Sequence, residues 1–347
     1  MPQSASRCFQ SSSQLHLAWP GDPDRKAGMK EKRALFVAGP TCSGKSALAL
    51  AVAERLGGTV INADSMQIYR ELRILTARPG REEEARVPHR LYGVLPASQS
   101  GSAAWWRDQA AAEMEESWQQ GRLPILCGGT GLYFHALMYG FADIPDPGEE
   151  ARKEARSLLA ELGPESLHAR LHGVDPATAV RLKPQDSQRI ARAWEVWRGT
   201  GLALSAWQNQ PPQPLPGWQF SAIRIDPPRE ELRQAITERL HVMLDSGALA
   251  EVEALRAQEL DPSLPAMRAH GVPEFLAFLR GDISLPEAML RAAQATIRYT
   301  KRQATWFRNR PFVKPPFLYT IDARIASFQQ LSERSMADML NFIRDIH

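Results

Sequence analysis

A glycine-rich segment at residues 39–46 carries the clearest chemical signature in the sequence. Its letters, GPTCSGKS, fit the pattern GxxxxGK[ST] and stand between an apolar run and an Ala- and Leu-rich stretch. In such a loop the backbone N–H groups point at phosphate oxygens, and the start of the following helix adds partial positive charge. Lys45 would add a full positive charge, and the Ser46 hydroxyl could hold Mg²⁺. The segment predicts a diphosphate or triphosphate site, against the alternative of a chance glycine turn before a helix.

Two aspartates, Asp64 and Asp226, are candidates for the acid that usually accompanies such a loop, because each follows an apolar run. Asp64 lies in the segment NADSMQIY at 62–69, where a carboxylate, a hydroxyl and an amide are clustered. Ligands of parallel sheets bind at the carboxyl edge of the strands, so we expect Asp64 to face a substrate there. The alternative is that Asp64 only caps a helix.

A second glycine turn, GGTG at 128–131, follows another apolar run. The motif alone is weak, because it also fits a plain tight turn. If it shares an edge of the sheet with the phosphate loop and Asp64, the Thr130 hydroxyl becomes a candidate partner for the phosphate or for an acceptor group.

Basic residues are concentrated near the end of the chain. Residues 288–321 contain no acid but include the cations Arg291, Arg298, Lys301, Arg302, Arg308, Arg310 and Lys314. Most of these cations share one side of a predicted helix, with Tyr299 and Trp306 interleaved. Such a surface could follow an RNA backbone, with Lys301 and Arg302 as contacts. An ordinary solvated face is the alternative.

A second set of candidate RNA contacts lies in the middle of the chain. A predicted helix at 186–198 has an apolar stripe, and its segment QRIAR contains Gln188, Arg189, Ile190, Ala191 and Arg192. Arg152, in the predicted helix at 149–162, belongs to the same set.

Alternating strand and helix patterns must position these residues. Buried strands are predicted at 34–38, 59–63, 124–127, 220–225 and 317–321, and the helices between them at 45–56 and 103–120. This order predicts an α/β fold with a P-loop NTPase-like parallel sheet core. Residues 1–30 lack any period and predict a disordered tail. Residues 142–216 are helical in pattern and predict a helical insertion domain, which leaves 31–141 and 217–347 for the core.

The composition adds only broad limits. The 347 residues carry a net charge of +3, which is too small to indicate nucleic-acid binding by itself. Three cysteines without a CxxC pair are typical of a reducing cytosol. No apolar run reaches the roughly 18 to 20 residues of a membrane span, so we expect a cytoplasmic protein without a membrane partner. A monomer is expected.

Taken together, these segments resemble the tRNA dimethylallyltransferase family. The similarity extends from GPTCSGKS and NADSMQIY through TARP at 76–79 and GGTGLYFHAL at 128–137. It continues, in order, through the blocks DPATAVRLKPQDSQRIARAWEV at 175–196, MLDSGALAEVEAL at 243–255, MRAHGVPEF at 267–275 and RYTKRQATWFR at 298–308.

The resemblance implies prenylation of N6 of adenosine 37, next to the anticodon of tRNA, with dimethylallyl diphosphate as donor and without ATP consumption. It implies that the diphosphate is held by Gly39, Pro40, Thr41, Cys42, Ser43, Gly44, Lys45, Ser46 and Arg239. It also implies that Asp64 acts as the base, that Lys45 and Thr130 assist catalysis, and that Ser46 binds Mg²⁺. The anticodon stem-loop would contact Asp64, Ser65, Met66, Gln67 and Thr130, and also the insertion and the basic helix.

This chemistry is also reasonable on physical grounds. An exocyclic adenine amine is a poor nucleophile, so a carboxylate that accepts its proton as the new bond forms has a definite task. A P-loop kinase explains the first 140 residues nearly as well but gives the basic stretch no purpose. A prenyltransferase for free adenine nucleotides and a non-enzymatic RNA-binding module are further alternatives.

Overall fold

The computed structural model describes residues 31–210, 214–310, 312–326 and 333–346. The disordered tail predicted at 1–30 lies outside the described residues. The described chain falls into two compact units. The first takes residues 31–101, 112–130 and 218–346, and the second takes 102–111 and 131–217. The second unit therefore begins before the insertion predicted at 142–216.

The elements are numbered in chain order. The first half contains β1 (Lys32–Ala38), α1 (Lys45–Leu56), β2 (Gly58–Asn62), α2 (Arg81–Arg86), β3 (His89–Arg90), α3 (Ala103–Gln119), β4 (Leu123–Gly128), α4 (Gly131–Tyr139), α5 (Glu149–Val174), α6 (Pro176–Arg181), α7 (Ser187–Thr200) and α8 (Leu204–Gln208). The second half contains β5 (Trp218–Ile225), α9 (Arg229–Asp245), α10 (Ala248–Arg256), a 3₁₀ turn (Ala266–Arg268), α11 (Val272–Leu279), α12 (Leu285–Asn309), β6 (Leu318–Ile321) and α13 (Glu333–Ile346).

The first unit is built on a six-stranded sheet in the order β3-β2-β4-β1-β5-β6, with every pair parallel. β2 and β4 are buried along their whole length, as expected for strands covered on both faces. The predicted α/β fold with a P-loop-type parallel sheet is confirmed. The two-residue β3 was not predicted, because it is too short to have a period.

The sheet order places the candidate residues side by side. β4 lies between β1 and β2, with Ala38 opposite Gly128 and Asn62 opposite Cys127. The phosphate loop follows β1, Asp64 follows β2 and the second glycine turn follows β4. All three therefore leave the sheet at its carboxyl edge.

The second unit has a small apolar core of its own. α5 and α7 pack together through buried side chains that include Leu167, Leu171, Ile190 and Trp194. Gly163, at φ 74°, interrupts α5 immediately before Pro164, which explains why the sequence pattern ends a helix at residue 162. Asp186 caps α7 through a hydrogen bond from Arg189 N to its side chain.

Within the described ranges, no helix is both long and apolar enough to cross a membrane.

A substitution at Gly128 tests how closely the ends of β2 and β4 approach each other. A Cβ at this position would lie 1.9 Å from the Ala63 carbonyl oxygen, whereas one at Gly80, also in the first unit, would meet nothing closer than 3.7 Å. We expect Gly128→Ala to lower the free energy of unfolding by about 3 kcal/mol, the upper part of the range for overpacking. Gly80→Ala should change it by less than about 1 kcal/mol. Urea unfolding compares the two variants, and equal effects would contradict the proposed close approach.

Candidate active site

The phosphate loop has the shape that anion binding requires. Cys42 and Gly44 adopt positive φ angles of 66° and 94°, and α1 begins directly after Gly44. The N–H groups of the first helical turn have no partner within the helix, so they can bind an anion. Lys45 is 8% exposed, and its Nζ lies 3.4 Å from the Pro40 carbonyl oxygen, so its charge stays over the loop.

A segment from the end of the chain supports the outer side of this loop. Arg324 Nε donates to the Cys42 carbonyl oxygen at 3.0 Å, and Ile325 N donates to the Ser43 carbonyl oxygen at 3.0 Å. A Cβ on Gly44 would lie 1.8 Å from the Ile325 carbonyl oxygen. Gly44 is therefore required both by its φ angle and by this contact.

Asp64 and Thr130 lie close together at the carboxyl edge. Thr130 N donates to the Ala63 carbonyl oxygen at 3.2 Å, and Ser65 N donates to Thr130 Oγ1 at 3.0 Å. Asn62 fixes the Asp64 backbone, because its Oδ1 accepts from Asp64 N at 2.8 Å and its Nδ2 donates to the Asp64 carbonyl oxygen at 3.0 Å. The second glycine turn therefore contacts Asp64's own segment.

The two oxygens of the Asp64 carboxylate have different surroundings. Oδ1 accepts a hydrogen bond from Met66 N at 2.9 Å and so caps a local turn, because the residues that follow Asp64 form turns and not a helix. Oδ2 has no hydrogen-bond partner among the described residues, and Asp64 is one of the residues that line a cavity. At 8% exposure the carboxylate is largely shielded from bulk water. It can cap a turn and still accept a proton from a substrate.

This cavity has a volume of about 70 Å³ and two chemically different sides. Polar groups come from Thr41, Asp64 and Arg239, whereas the apolar lining includes Leu75, Ile236, Leu240 and Met243. Arg239 is half-buried, and its Nη1 lies 3.6 Å from Cys42 Sγ, beside the phosphate loop. The cavity can therefore hold a molecule with an anionic end and a short hydrocarbon end.

Two aromatic side chains complete the lining. The rings of His270 and Tyr299 lie 4.8 Å apart between centroids. Burial lowers the pKa of His270, an effect that the charges of Glu274 and Asp64 partly oppose. Burial and the charge of Asp64 raise the pKa of Tyr299, so its hydroxyl stays protonated at neutral pH.

The predicted magnesium ligand, Ser46, is exposed at the start of α1. Mg²⁺ is usually held by one or two protein oxygens together with substrate phosphates and water, so a single hydroxyl beside a phosphate loop fits this ion. Within the described ranges, no three His, Cys, Asp or Glu residues cluster as a self-sufficient metal site. Asp226, the other candidate acid, pairs with Arg308 through contacts of 2.7 and 2.8 Å.

The basic surface of α12 is only partly neutralised. Arg291 pairs with Glu287 and Arg308 with Asp226. By contrast, Arg298, Lys301 and Arg302 are exposed and have no ion-pair partner in the described part of the chain. An open groove is lined by Arg298, Lys301, Arg302, Thr305, Trp306, Asn309 and Arg310. Cations with an adjacent Trp fit single-stranded RNA better than a mixed solvated face does.

The candidate RNA contacts of the second unit divide into exposed and buried residues. Gln188, Arg189 and Arg192 are exposed, whereas Ile190 and Ala191 are buried in the core of the unit. Of these five predicted RNA contacts, only the three exposed side chains are accessible to a ligand. Arg152 is partly exposed and pairs with Asp146 and Glu149.

Not all of the segment after β2 is open to a ligand. Ser65 and Met66 are partly exposed, but Gln67 is 8% exposed and its Nε2 donates to the carbonyl oxygens of Thr76 and Ala77 at 2.8 and 3.1 Å. Gln67 therefore fixes the neighbouring cavity wall.

The parallel sheet and the glycine-rich loop at its carboxyl edge define a P-loop-like α/β protein. Comparison with known families makes the class specific. The family described as IPP transferase matches residues 67–310, and the family described as isopentenyl transferase matches residues 32–97. The chain belongs to the IPP transferase family, which confirms the resemblance found in the sequence.

Individual relatives support this assignment to the IPP transferase family. A tRNA dimethylallyltransferase of Granulibacter bethesdensis is 92% identical over 319 residues, which are 92% of this chain and 100% of the relative. The crystal structure of a tRNA isopentenylpyrophosphate transferase from Bacillus halodurans is 31% identical, with a TM-score of 0.63 over 91% of this chain and 97% of that chain. A eukaryotic dimethylallyltransferase, described as acting on tRNA, gives a TM-score of 0.75 at 25% identity, over 90% and 80% of the two chains.

Lys45 provides a test of the phosphate loop that needs no assumption about the reaction. We expect Lys45→Ala to weaken binding of inorganic diphosphate by about 10- to 100-fold, the range for loss of one charged hydrogen bond. Lys32→Ala is the control, because Lys32 pairs with Glu115 at the opposite end of β1. Isothermal titration calorimetry measures both, and unchanged affinity in Lys45→Ala would remove the loop as the anion site.

Proposed function

We propose that the protein transfers the dimethylallyl group from dimethylallyl diphosphate to N6 of adenosine 37, next to the anticodon of tRNA. The products are N6-(dimethylallyl)adenosine and diphosphate. The observation that carries this proposal is a cavity lined together by the phosphate loop, Asp64 and an apolar wall. Membership of the IPP transferase family and the 92% identical tRNA dimethylallyltransferase support the reaction type and the RNA acceptor.

The donor fits the two sides of the cavity. Its diphosphate would bind the loop amides, Lys45 and Arg239, while its five-carbon chain would lie against Leu240 and Met243. Mg²⁺, held by Ser46 and the substrate phosphates, would neutralise charge on the departing diphosphate. In this arrangement the reactive carbon of the donor would be directed towards Asp64.

Asp64 would act on the acceptor amine. The bond between the allylic carbon and the diphosphate oxygen breaks, and a bond between that carbon and N6 forms. One proton of the amine passes to Asp64 as N6 loses electron density. Thr130 would orient the adenine or the donor through its hydroxyl. Because Asp64 is shielded from bulk water, hydrolysis of the reactive donor is disfavoured.

The tRNA would be held by surfaces outside this cavity. A stacked loop base must be flipped out to reach a buried carboxylate, and its flanking backbone needs cations to hold it. Arg298, Lys301 and Arg302 on α12 offer this contact to the anticodon stem-loop, and Arg189 and Arg192 offer another. We further propose that the protein acts as a monomer in the cytoplasm, where its tRNA substrate is found.

Asp64→Asn keeps the shape of the side chain but removes its basicity. We expect donor and tRNA to bind normally while single-turnover transfer slows by roughly 10² to 10⁴-fold. Asp226→Asn is the matched control, since Asp226 also follows a strand but is paired with Arg308. It should leave the chemical step within about threefold of wild type. If the slow step appeared in Asp226→Asn instead, the role of base would move to Asp226.

The basic surface of α12 makes a separate prediction about salt. Replacing Lys301 and Arg302 together by Ala should weaken tRNA binding and reduce the slope of log affinity against log salt by about one per lost phosphate contact. Arg291→Ala, on the same helix but paired with Glu287, should change the slope much less. Filter binding over a range of salt concentrations measures both. An unchanged slope in the double variant would indicate that this surface is an ordinary solvated face.

A further inference from the structure

One buried side chain connects the phosphate loop to the turn that carries Thr130. Gln303 projects inward from α12 and is 4% exposed. Its Oε1 accepts a hydrogen bond from Thr41 N at 2.9 Å, and its Nε2 donates to the Gly129 carbonyl oxygen at 3.0 Å. The two ends of one carboxamide therefore fix the two loops relative to each other.

The space around Gln303 is matched to an amide. A Cβ on Gly129 would lie 2.1 Å from Gln303 Nε2, so the absence of a side chain at Gly129 makes room for the amide. The bridge needs an acceptor at one end and a donor at the other. A neutral carboxamide supplies both, whereas an ionised carboxylate supplies only acceptors and a thioether supplies no donor.

Tyr299 is a second side chain on the inner side of this helix. Tyr299 lies four residues before Gln303, which places both on one side of α12. The side chains of Thr130 and Gln303 interact with the Tyr299 hydroxyl and lower its pKa, against the larger effects of burial and of Asp64, which raise it. The Tyr299 hydroxyl therefore lies near both Thr130 and Gln303.

We propose that Gln303 is a positioning residue that sets the separation between the bound diphosphate and the acceptor amine. The proposal rests on the function proposed above. Because Gln303 accepts from Thr41 N, it orients the Pro40–Thr41 peptide of the phosphate loop and leaves the later loop amides to bind the anion. Because it also holds Gly129, it fixes Thr130 beside Asp64. Gln303 itself contacts neither reacting atom.

Replacement by Met tests the bridge, because Met has a similar length but cannot donate a hydrogen bond. At saturating donor and tRNA, we expect single-turnover transfer by Gln303→Met to fall by about 10- to 100-fold, the range for a misplacement of about 1 Å. The affinity for tRNA should stay within about twofold of wild type, because Gln303 is buried away from the exposed cations. Gln294→Met, an exposed position on the same helix, is the matched control and should behave as wild type.

The pH dependence of transfer by Gln303→Glu distinguishes the proposed bridge from a purely structural role. The ionised carboxylate cannot donate to the Gly129 carbonyl oxygen, but its protonated form can, and burial raises the pKa of a carboxyl group. The rate of Gln303→Glu divided by the wild-type rate at the same pH should therefore rise as the pH falls from 8 to 5.5. Taking this ratio removes the pH dependence that the assay imposes on both proteins.

The outcomes separate the two proposals. A wild-type rate in Gln303→Met, or a pH-independent ratio in Gln303→Glu, would overturn the positioning role. If wild-type protein transferred no prenyl group at all, the proposed function would fail, but calorimetry with inorganic diphosphate would still test the bridge. In that measurement we expect Gln303→Met to bind diphosphate about fivefold more weakly than wild type and Gln294→Met to bind it equally well. Equal binding by all three proteins would overturn the positioning role there too.

Discussion

The close approach of β4 to the end of β2 is the constraint on which the site depends. At Gly128 the two backbones leave no room for a side chain, because a Cβ would lie 1.9 Å from the Ala63 carbonyl oxygen. This approach allows Thr130 N to donate to that same oxygen and Thr130 Oγ1 to accept from Ser65 N. β1 pairs with the other side of β4, so the phosphate loop begins beside the same turn. Strand pairing thereby brings the glycine-rich loop and a shielded carboxylate to the same edge of the sheet.

The two faces of α12 have different surroundings. Tyr299 and Gln303 face the catalytic edge, where Gln303 bridges Thr41 and Gly129. Lys301 and Arg302 face solvent, and Arg302 also lies over the Tyr299 ring at 5.4 Å. A single 25-residue helix therefore exposes cations on one side while it connects the glycine-rich loop and the turn at Gly129 on the other.

The parts of this site that the sequence predicts are those encoded locally. The glycine pattern at 39–46 and the apolar runs before Asp64 and Thr130 predict a phosphate loop, a parallel sheet and a shared edge, because each signal lies within a few residues. The Gln303 bridge could not be predicted in this way, since it joins residues 262 and 174 positions apart. The support of the loop by Arg324 depends on a comparable separation of 282. Burial of Ile190, by contrast, could be predicted from the sequence, because Ile190 belongs to the apolar stripe of its own helix.

The central claim is that this edge of the sheet transfers a prenyl group from a diphosphate to an RNA base without using a nucleoside triphosphate. The most direct measurement is incubation of the wild-type protein with Mg²⁺, labelled dimethylallyl diphosphate and unmodified tRNA, in the absence of ATP. Nucleoside analysis should find the label on N6 of adenosine 37, with one diphosphate released for each group transferred. Unlabelled tRNA, together with phosphate release when ATP is supplied, would contradict the claim and favour a P-loop kinase.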